Sequence, residues 1–296
     1  MKILRKITTC FVVVGLFALT SSFVLADKPV LDVVVGSGNT GGTWRTSLII
    51  NAALKSMGYD SEMVHTKNCV GTKKYISKNP RPGIVLWTDS KYASDVRKGC
   101  KLIPDESTFV TPFSFSNQAM CTLKKHNFTS IENFLKGKKR ITVASITSYP
   151  NNLYTDLTNQ FGIKFVRVDY SGSSKALKGL LAQDTDLLYT EYTKRTISNP
   201  DIDCFAVSGD VKGKAVFKDI FPTWSLAKLG QYQYYYGINL TKKQTKDARA
   251  ALHKIIATDP KIVNAMSVSS MIPGHVLWNR GDRVGTWHTH KELWMK

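Results

Sequence analysis

A run of β-branched and apolar residues, Val30-Leu31-Asp32-Val33-Val34-Val35, passes directly into the glycine-rich segment GSGNTGGT and then into an apolar-periodic stretch over residues 44–57. No other feature constrains the fold as much as this junction. A β-branched apolar run bounded by glycine reads as a buried strand, and apolar periodicity near 3.6 residues reads as a helix. Strand, glycine turn and helix make the first half of a βαβ unit, which commits the chain to a sheet with helices packed on it. The pattern then repeats. Residues 61–65 predict a short strand and 72–77 a helix. Gly83-Ile84-Val85-Leu86-Trp87 predicts a strand, followed by a helix over 90–98.

A second block begins near Asn117. Strands are expected at 119–123, 141–144, 164–168, 187–189 and 203–207, with helices at 131–135, 153–161 and 175–182. Residues 232–238 are aromatic and strand-like. Thr241 with Gln244 three positions on forms a capping-box pattern for a helix reaching residue 258, and Asp259-Pro260 opens another. This alternation predicts an α/β protein with mainly parallel sheets in two lobes.

The first residues read as an export signal. Lys2, Arg5 and Lys6 precede an apolar run over 11–19, and Val24-Leu25-Ala26 offers a small-residue cleavage site before Asp27. The apolar run is short of the roughly 20 residues a membrane span needs. Residues 1–26 are therefore expected to be removed, leaving an exported chain without a lipid anchor. Four cysteines remain after cleavage: Cys69, Cys100, Cys121 and Cys204. An even count in an exported chain predicts two disulfides, with three connectivities open. The formal net charge is +19, a field that attracts anions in general. The lysines are dispersed, which favours a solvated basic surface over a nucleic-acid-binding arm.

Three polar loops, GSGNTGGT, SITSYPNN and DYSGSS, share one position, after a strand and before a helix. Ligands of open α/β sheets bind beyond the carboxyl ends of strands. Helix N-termini there present unpaired N–H groups and a positive dipole end, which suits a carboxylate or phosphate. Gly36, Gly38 and Gly41 match G-x-G-x-x-G, but no acidic residue ends the next strand to hold a ribose, so a dinucleotide site is not expected. The chain has no G-x-S-x-G elbow, no H-E-x-x-H and no zinc spacing of cysteine and histidine. His288 and His290 read as a solvated tail. No metal, no cofactor and no enzymatic activity are expected.

The loops also carry a family likeness. GIKFVRVDYSGSSKALKGLLAQDTDLLY, then FAVSGD, then Phe221-Pro222-Thr223 with Leu226, Ala227 and Gly230, then TDPKIVNAM, fall in an order that resembles the periplasmic solute receptors of tripartite tricarboxylate transporters. KNCVGTKKYISKNPRPGIVLW extends the likeness toward the N-terminus. The chain departs from the family in lacking an aspartate after Gly41-Gly42, in Asp169 before Tyr170, and in Cys69-Val70. The resemblance implies a type 2 periplasmic binding protein, a two-lobed Venus flytrap. It would close over a small di- or tricarboxylate or related organic acid, and deliver it to a membrane permease. Lobe one is then expected over residues 27–111 and 231–296 and lobe two over 112–230, with crossings near 111–117 and 223–234. The implied ligand residues are Ser37, Gly38, Asn39, Thr43, Asn68 and Thr88 from lobe one. From lobe two they are Ser145, Thr147, Ser148, Tyr170, Ser171, Gly172 and Asp186. The implied disulfides are Cys69–Cys100 and Cys121–Cys204. A periplasmic monomer is expected, with no nucleic-acid partner. A secreted polyanion-binding protein and a secreted enzyme on the same fold are the alternatives.

Overall fold

The computed structural model describes residues 27–39, 41–100, 102, 107–146, 149, 152–223, 230–283, 285–287 and 289. The expected export signal lies outside them. The first block runs β1 (Asp32–Val35), α1 (Gly42–Ser56), β2 (Met63–His65), α2 (Cys69–Ile76), β3 (Gly83–Thr88) and α3 (Asp89–Arg97). A long strand, β4 (Phe109–Leu123), leads out of it. Next come α4 (Ile131–Leu135), β5 (Arg140–Ile146), α5 (Asn152–Phe161), β6 (Lys164–Tyr170), α6 (Ser173–Leu181) and β7 (Leu187–Glu191). α7 (Lys194–Ile197), β8 (Ile202–Val207), β9 (Ala215–Val216) and α8 (Phe217–Ile220) complete that block. The chain returns through β10 (Gly230–Ile238), α9 (Lys242–Thr258), α10 (Pro260–Val268), β11 (Ile272–Pro273) and α11 (Gly274–Asn279).

The strands form a continuous mixed sheet whose main path is β2-β1-β3-β10-β4-β7-β5-β6. Two parallel blocks, β2-β1-β3 and β7-β5-β6, sit at its ends. Antiparallel β10 and β4 join them. β4 changes partner along its length. It pairs β10 from Phe109 to Asn117, then β7 and β8 from Gln118 onward. Only the last residues of β4 were expected as a strand. Pro112 makes the first half look irregular, because proline cannot donate to a ladder. The chain accommodates it with a register shift against β10 between Gln233 and Tyr234. Pro112 and Phe113 also receive the start of α11 so closely that any side chain at Gly274 would collide with their backbone.

Each block has its own apolar core. In the first, Ile50 and Leu54 of α1 pack with Val33, Ile84 and Leu86 of the sheet and with Leu252 and Ile255 of α9. In the second, Val143, Leu153, Leu157, Leu187 and Phe217 pack together. Burying each such side chain contributes about 1.5–3 kcal/mol relative to exposure. Ala93 of α3 belongs to the second core, so the first block touches the second there. The helix signals act as read. Thr241 Oγ1 accepts from Gln244 N at 3.2 Å and Gln244 Oε1 accepts from Thr241 N at 2.9 Å. Asp259 caps α10 with proline in its first turn.

Both disulfides pair as the resemblance implied. Cys69–Cys100 joins the start of α2 to the segment after α3, and Cys121–Cys204 joins directly paired residues of β4 and β8. Peptide mapping without reduction is expected to return these two linkages. Replacing Cys121 and Cys204 together by alanine is expected to lower unfolding stability by about 2–4 kcal/mol. A denaturant midpoint unchanged by that replacement, or a Cys69–Cys204 peptide, would contradict the expectation.

Candidate functional site

Strand register brings the carboxyl ends of both parallel blocks to one place. β3 ends at Thr88, which lies opposite Gln233 of β10. β7 ends at Glu191, which lies opposite Gln118 of β4. Gly230 of β10 lies opposite Asn117 of β4. The ends of β1-β2-β3 and of β5-β6-β7 therefore point toward the crossing from opposite sides. The loops that follow those ends lie on the facing sides of the two blocks.

Three of those loops lead into helices whose N-cap residue supplies no side-chain cap. In the short α7 the first N–H, Lys194 N, donates instead to Ser269 Oγ at 2.6 Å, which leaves α1 and α6. Gly41 precedes α1 and Gly172 precedes α6; neither helix has an acid in its first turn. The first N–H groups of a helix have no intrahelical partner and carry the positive end of its dipole. α2 and α3 differ. Asn68 caps α2 by accepting from Gly71 N at 2.8 Å, and Thr88 caps α3 by accepting from Lys91 N at 3.1 Å. In α1 and α6, one in each block, no N-cap side chain takes the first N–H groups.

The first loop is held from behind. A side chain at Gly36 would come within 2.8 Å of Thr72 and 3.0 Å of Trp87, so only glycine fits there. The Ser37 carbonyl accepts from His65 Nε2 at 2.7 Å, which fixes the proton on that nitrogen. The Ser37 hydroxyl is buried and has no hydrogen-bond partner among the described residues. Across the cleft, the guanidinium of Arg167 donates to the carbonyls of Ile146 and Tyr149, both at 3.0 Å, and pins the loop after β5.

No protein-family model matches the chain, and no curated protein sequence matches it. Solved structures do. A Rhodopseudomonas palustris protein with adipate is similar over 91% of this chain and 95% of its own, with a TM-score of 0.68 and 14% identity. MatC from R. palustris with bound malate is similar over 90% and 98%, with a TM-score of 0.66 and 12% identity. A TctC solute binding protein from Polaromonas covers 90% and 98%, with a TM-score of 0.60 and 14% identity. The chain has the fold of the periplasmic solute-binding proteins.

Within that solute-binding fold the thirteen residues implied by resemblance separate. Ser37, Gly38, Asn39 and Thr43 gather at the N-terminus of α1, and Ser171 and Gly172 at that of α6. Ser145, near the end of β5, is fully buried. Thr147 and Ser148 lie outside the described residues. Asn68 and Thr88 border the cleft, but their oxygens serve as helix caps. Tyr170 turns away. Its ring lies on α6, where a side chain at Gly179 would collide with its hydroxyl. Asp186 is displaced furthest. It precedes β7, level with Thr142 near the start of β5, at the opposite end of the strands from the loops. A motif match sets its place in the sequence, whereas strand direction sets the end of the sheet it occupies.

Asp186 is a brace. Its Oδ2 accepts from Thr142 N and Thr142 Oγ1, both at 2.8 Å, and its Oδ1 lies 3.4 Å from Lys138 Nζ. Burial pushes the carboxyl up, but the bonds from Thr142 and the charge of Lys138 outweigh it and hold the group below its usual range. Sequence reasoning missed Glu191, Ser116 and Gln233 at the crossing, and Arg167 behind the loop. They sit inside strands, where no turn or glycine flags them.

A carboxyl held low in the folded state contributes stability at neutral pH that disappears as pH falls through its folded value. Asp186→Asn is therefore expected to destabilise the chain at pH 7 by roughly 1–2 kcal/mol, the scale of lost charge-assisted hydrogen bonds at a partly solvated site. The melting temperatures of variant and wild type should converge on acidification. Equal melting temperatures at pH 7 would remove the bracing role.

Proposed function

We propose that the chain is an extracytoplasmic solute-binding protein of the tripartite tricarboxylate type. In this reading it captures a small carboxylate in the cleft and presents it to a membrane permease. What supports the reading is the pair of helices without an N-cap side-chain bond, α1 and α6, each following a strand of a parallel block whose carboxyl ends point toward the crossing. Each dipole end contributes about 0.3–1 kcal/mol to a bound anion, and up to about 2 when partly buried. The malate and adipate named for two structures of the same fold agree with a carboxylate of that size. The formal charge of +16 that remains once residues 1–26, with three basic residues and no acid, are removed would raise the local concentration of such anions.

In this proposal Ser37, Gly38, Asn39 and Thr43 contact the ligand from one side. Thr147, Ser148, Ser171 and Gly172 contact it from the other, and the fully buried Ser145 does not reach it. The lobes expected over 27–111 with 231–296 and over 112–230 divide, in this reading, at 117/118 instead of 111/112, because β4 pairs β10 as far as Asn117. They hinge where β4 changes partner at Asn117–Gln118 and where β10 begins at Gly230. Residues 1–26 direct export, and the mature chain acts as a monomer. Among the described residues no helix is long and apolar enough to cross a membrane, and no group of three or more histidine, cysteine, aspartate or glutamate side chains is placed to hold a metal.

A thermal-shift panel of small organic acids tests the capture itself, because a ligand that binds only the native state raises the melting point. Charge placed at the helix ends tests the site. Ser145 is a poor position, since a buried aspartate there would endanger the fold. Gly38 and Gly172 are better. A side chain at either meets nothing within 4 Å, and the φ of 172° at Gly172 is extended backbone open to any residue. Gly38→Asp and Gly172→Asp are each expected to weaken carboxylate binding at least tenfold, about 1.4 kcal/mol, with the melting point of the free protein retained. Calorimetry showing unchanged affinity in both folded variants would move the site elsewhere.

A further inference from the structure

The crossing carries a carboxylate that an anion site alone does not explain. Glu191 ends β7 on the cleft side and is partly exposed. Its Oε1 accepts from Ser116 Oγ of β4 at 2.7 Å and from Gln233 Nε2 of β10 at 3.3 Å. Both donors go to the same oxygen. Among the described residues Oε2 has no hydrogen-bond partner, and Glu191 takes part in no ion pair. Its charge reaches the buried Tyr149 phenol of the loop after β5. Burial pushes the Glu191 carboxyl upward, and the two hydrogen bonds only partly counter it.

Such a group is costly in a closed cleft unless something donates to it. It also repels a ligand that carries only negative charge, which is a means of rejecting wrong solutes. The cleft therefore has two poles. Helix N-termini from both blocks suit an anion, and one oxygen of Glu191 suits a cationic donor. No arginine or lysine among the described residues neutralises the second pole.

Resting on the solute-binding reading above, we infer that the preferred solute is a small zwitterion. Its carboxylate lies at the N-termini of α1 and α6, and its protonated amine pairs with Glu191 Oε2. An ammonium group supplies both charge and donors, so it compensates a desolvated carboxylate more fully than a hydroxyl does. Glu191 is then the residue that separates amino acids from the unsubstituted acids of the same length.

Matched probes test this. Calorimetry is run on the wild-type chain and on Glu191→Gln with succinate, L-malate and L-aspartate, and with glutarate, 2-hydroxyglutarate and L-glutamate. The glutamine amide oxygen keeps both acceptor bonds from Ser116 and Gln233, so the variant retains the crossing. In the wild type, the amino member of at least one series is expected to bind at least tenfold tighter than its unsubstituted partner. Glu191→Gln is expected to erase that preference while leaving the unsubstituted acid bound as tightly or more tightly. A preference for the unsubstituted or hydroxy acid, or an amine preference that survives in the variant, overturns the role of Glu191 and leaves the carboxylate site standing. No binding of any probe to either protein overturns both readings.

Discussion

β4 is the element to which the rest of the molecule is registered. It is a single 15-residue strand buried along almost its whole length, and two half-sheets share it. Its first part pairs with β10 and its last part with β7 and β8. A one-residue slip along β4 would turn every inward side chain outward on both sides at once. The register is held by the shift beside Pro112, by the close seat of Gly274 and by the disulfide at Cys121. Because β7 is antiparallel to β4 and β10 is antiparallel to β3, this one register brings the carboxyl ends of both parallel blocks together. The cleft is a consequence of strand direction before it is a consequence of any loop.

The loops then divide by what satisfies their helix ends. Asn68 and Thr88 spend their side-chain oxygens on the N–H groups of their own helices. Gly41 and Gly172 have no side chain to spend, and the N–H groups behind them remain available to a ligand. Glycine at these two positions is therefore more than tolerance of a tight turn. A serine or aspartate there would cap the helix and compete with a bound anion for the same donors.

Much of the fold was legible because its local signals agree with one another. The valine run into Gly36, the Thr241–Gln244 box and the Asp259-Pro260 start each specify one local structure, and the long-range packing confirms it. β4 was half hidden because proline and alternating serines mask a strand that is covered on both faces. The proposed site rests on backbone and glycine, which the sequence marks directly. Tyr170 and Asp186 sit beside recognisable motifs, yet a side chain's direction is decided by what it packs on. For Tyr170 that is Gly179, and for Asp186 it is Thr142. Glu191 and Arg167 show the converse. Each lies in an ordinary strand sequence, and its importance comes from neighbours more than 15 positions away.

The covalent and polar contacts divide the labour of the crossing. Both disulfides lie within a block. One braces α2 to the end of α3, and the other braces β4 to β8 just beyond the point where β4 changes partner. Neither spans the cleft, so neither opposes a change in the angle between blocks. What spans it is softer. Ser116 and Gln233 hold Glu191, the backbone N–H of Lys194 donates to Ser269 Oγ, and Ala93 touches the second core. Hinge motions are absorbed by a few residues at element ends, and the residues at the proposed crossing are polar and hold the Glu191 carboxylate. On the proposed reading, a ligand group that pairs with Glu191 would act on contacts that join the two blocks. On that reading, selecting the solute and closing over it would be one electrostatic event.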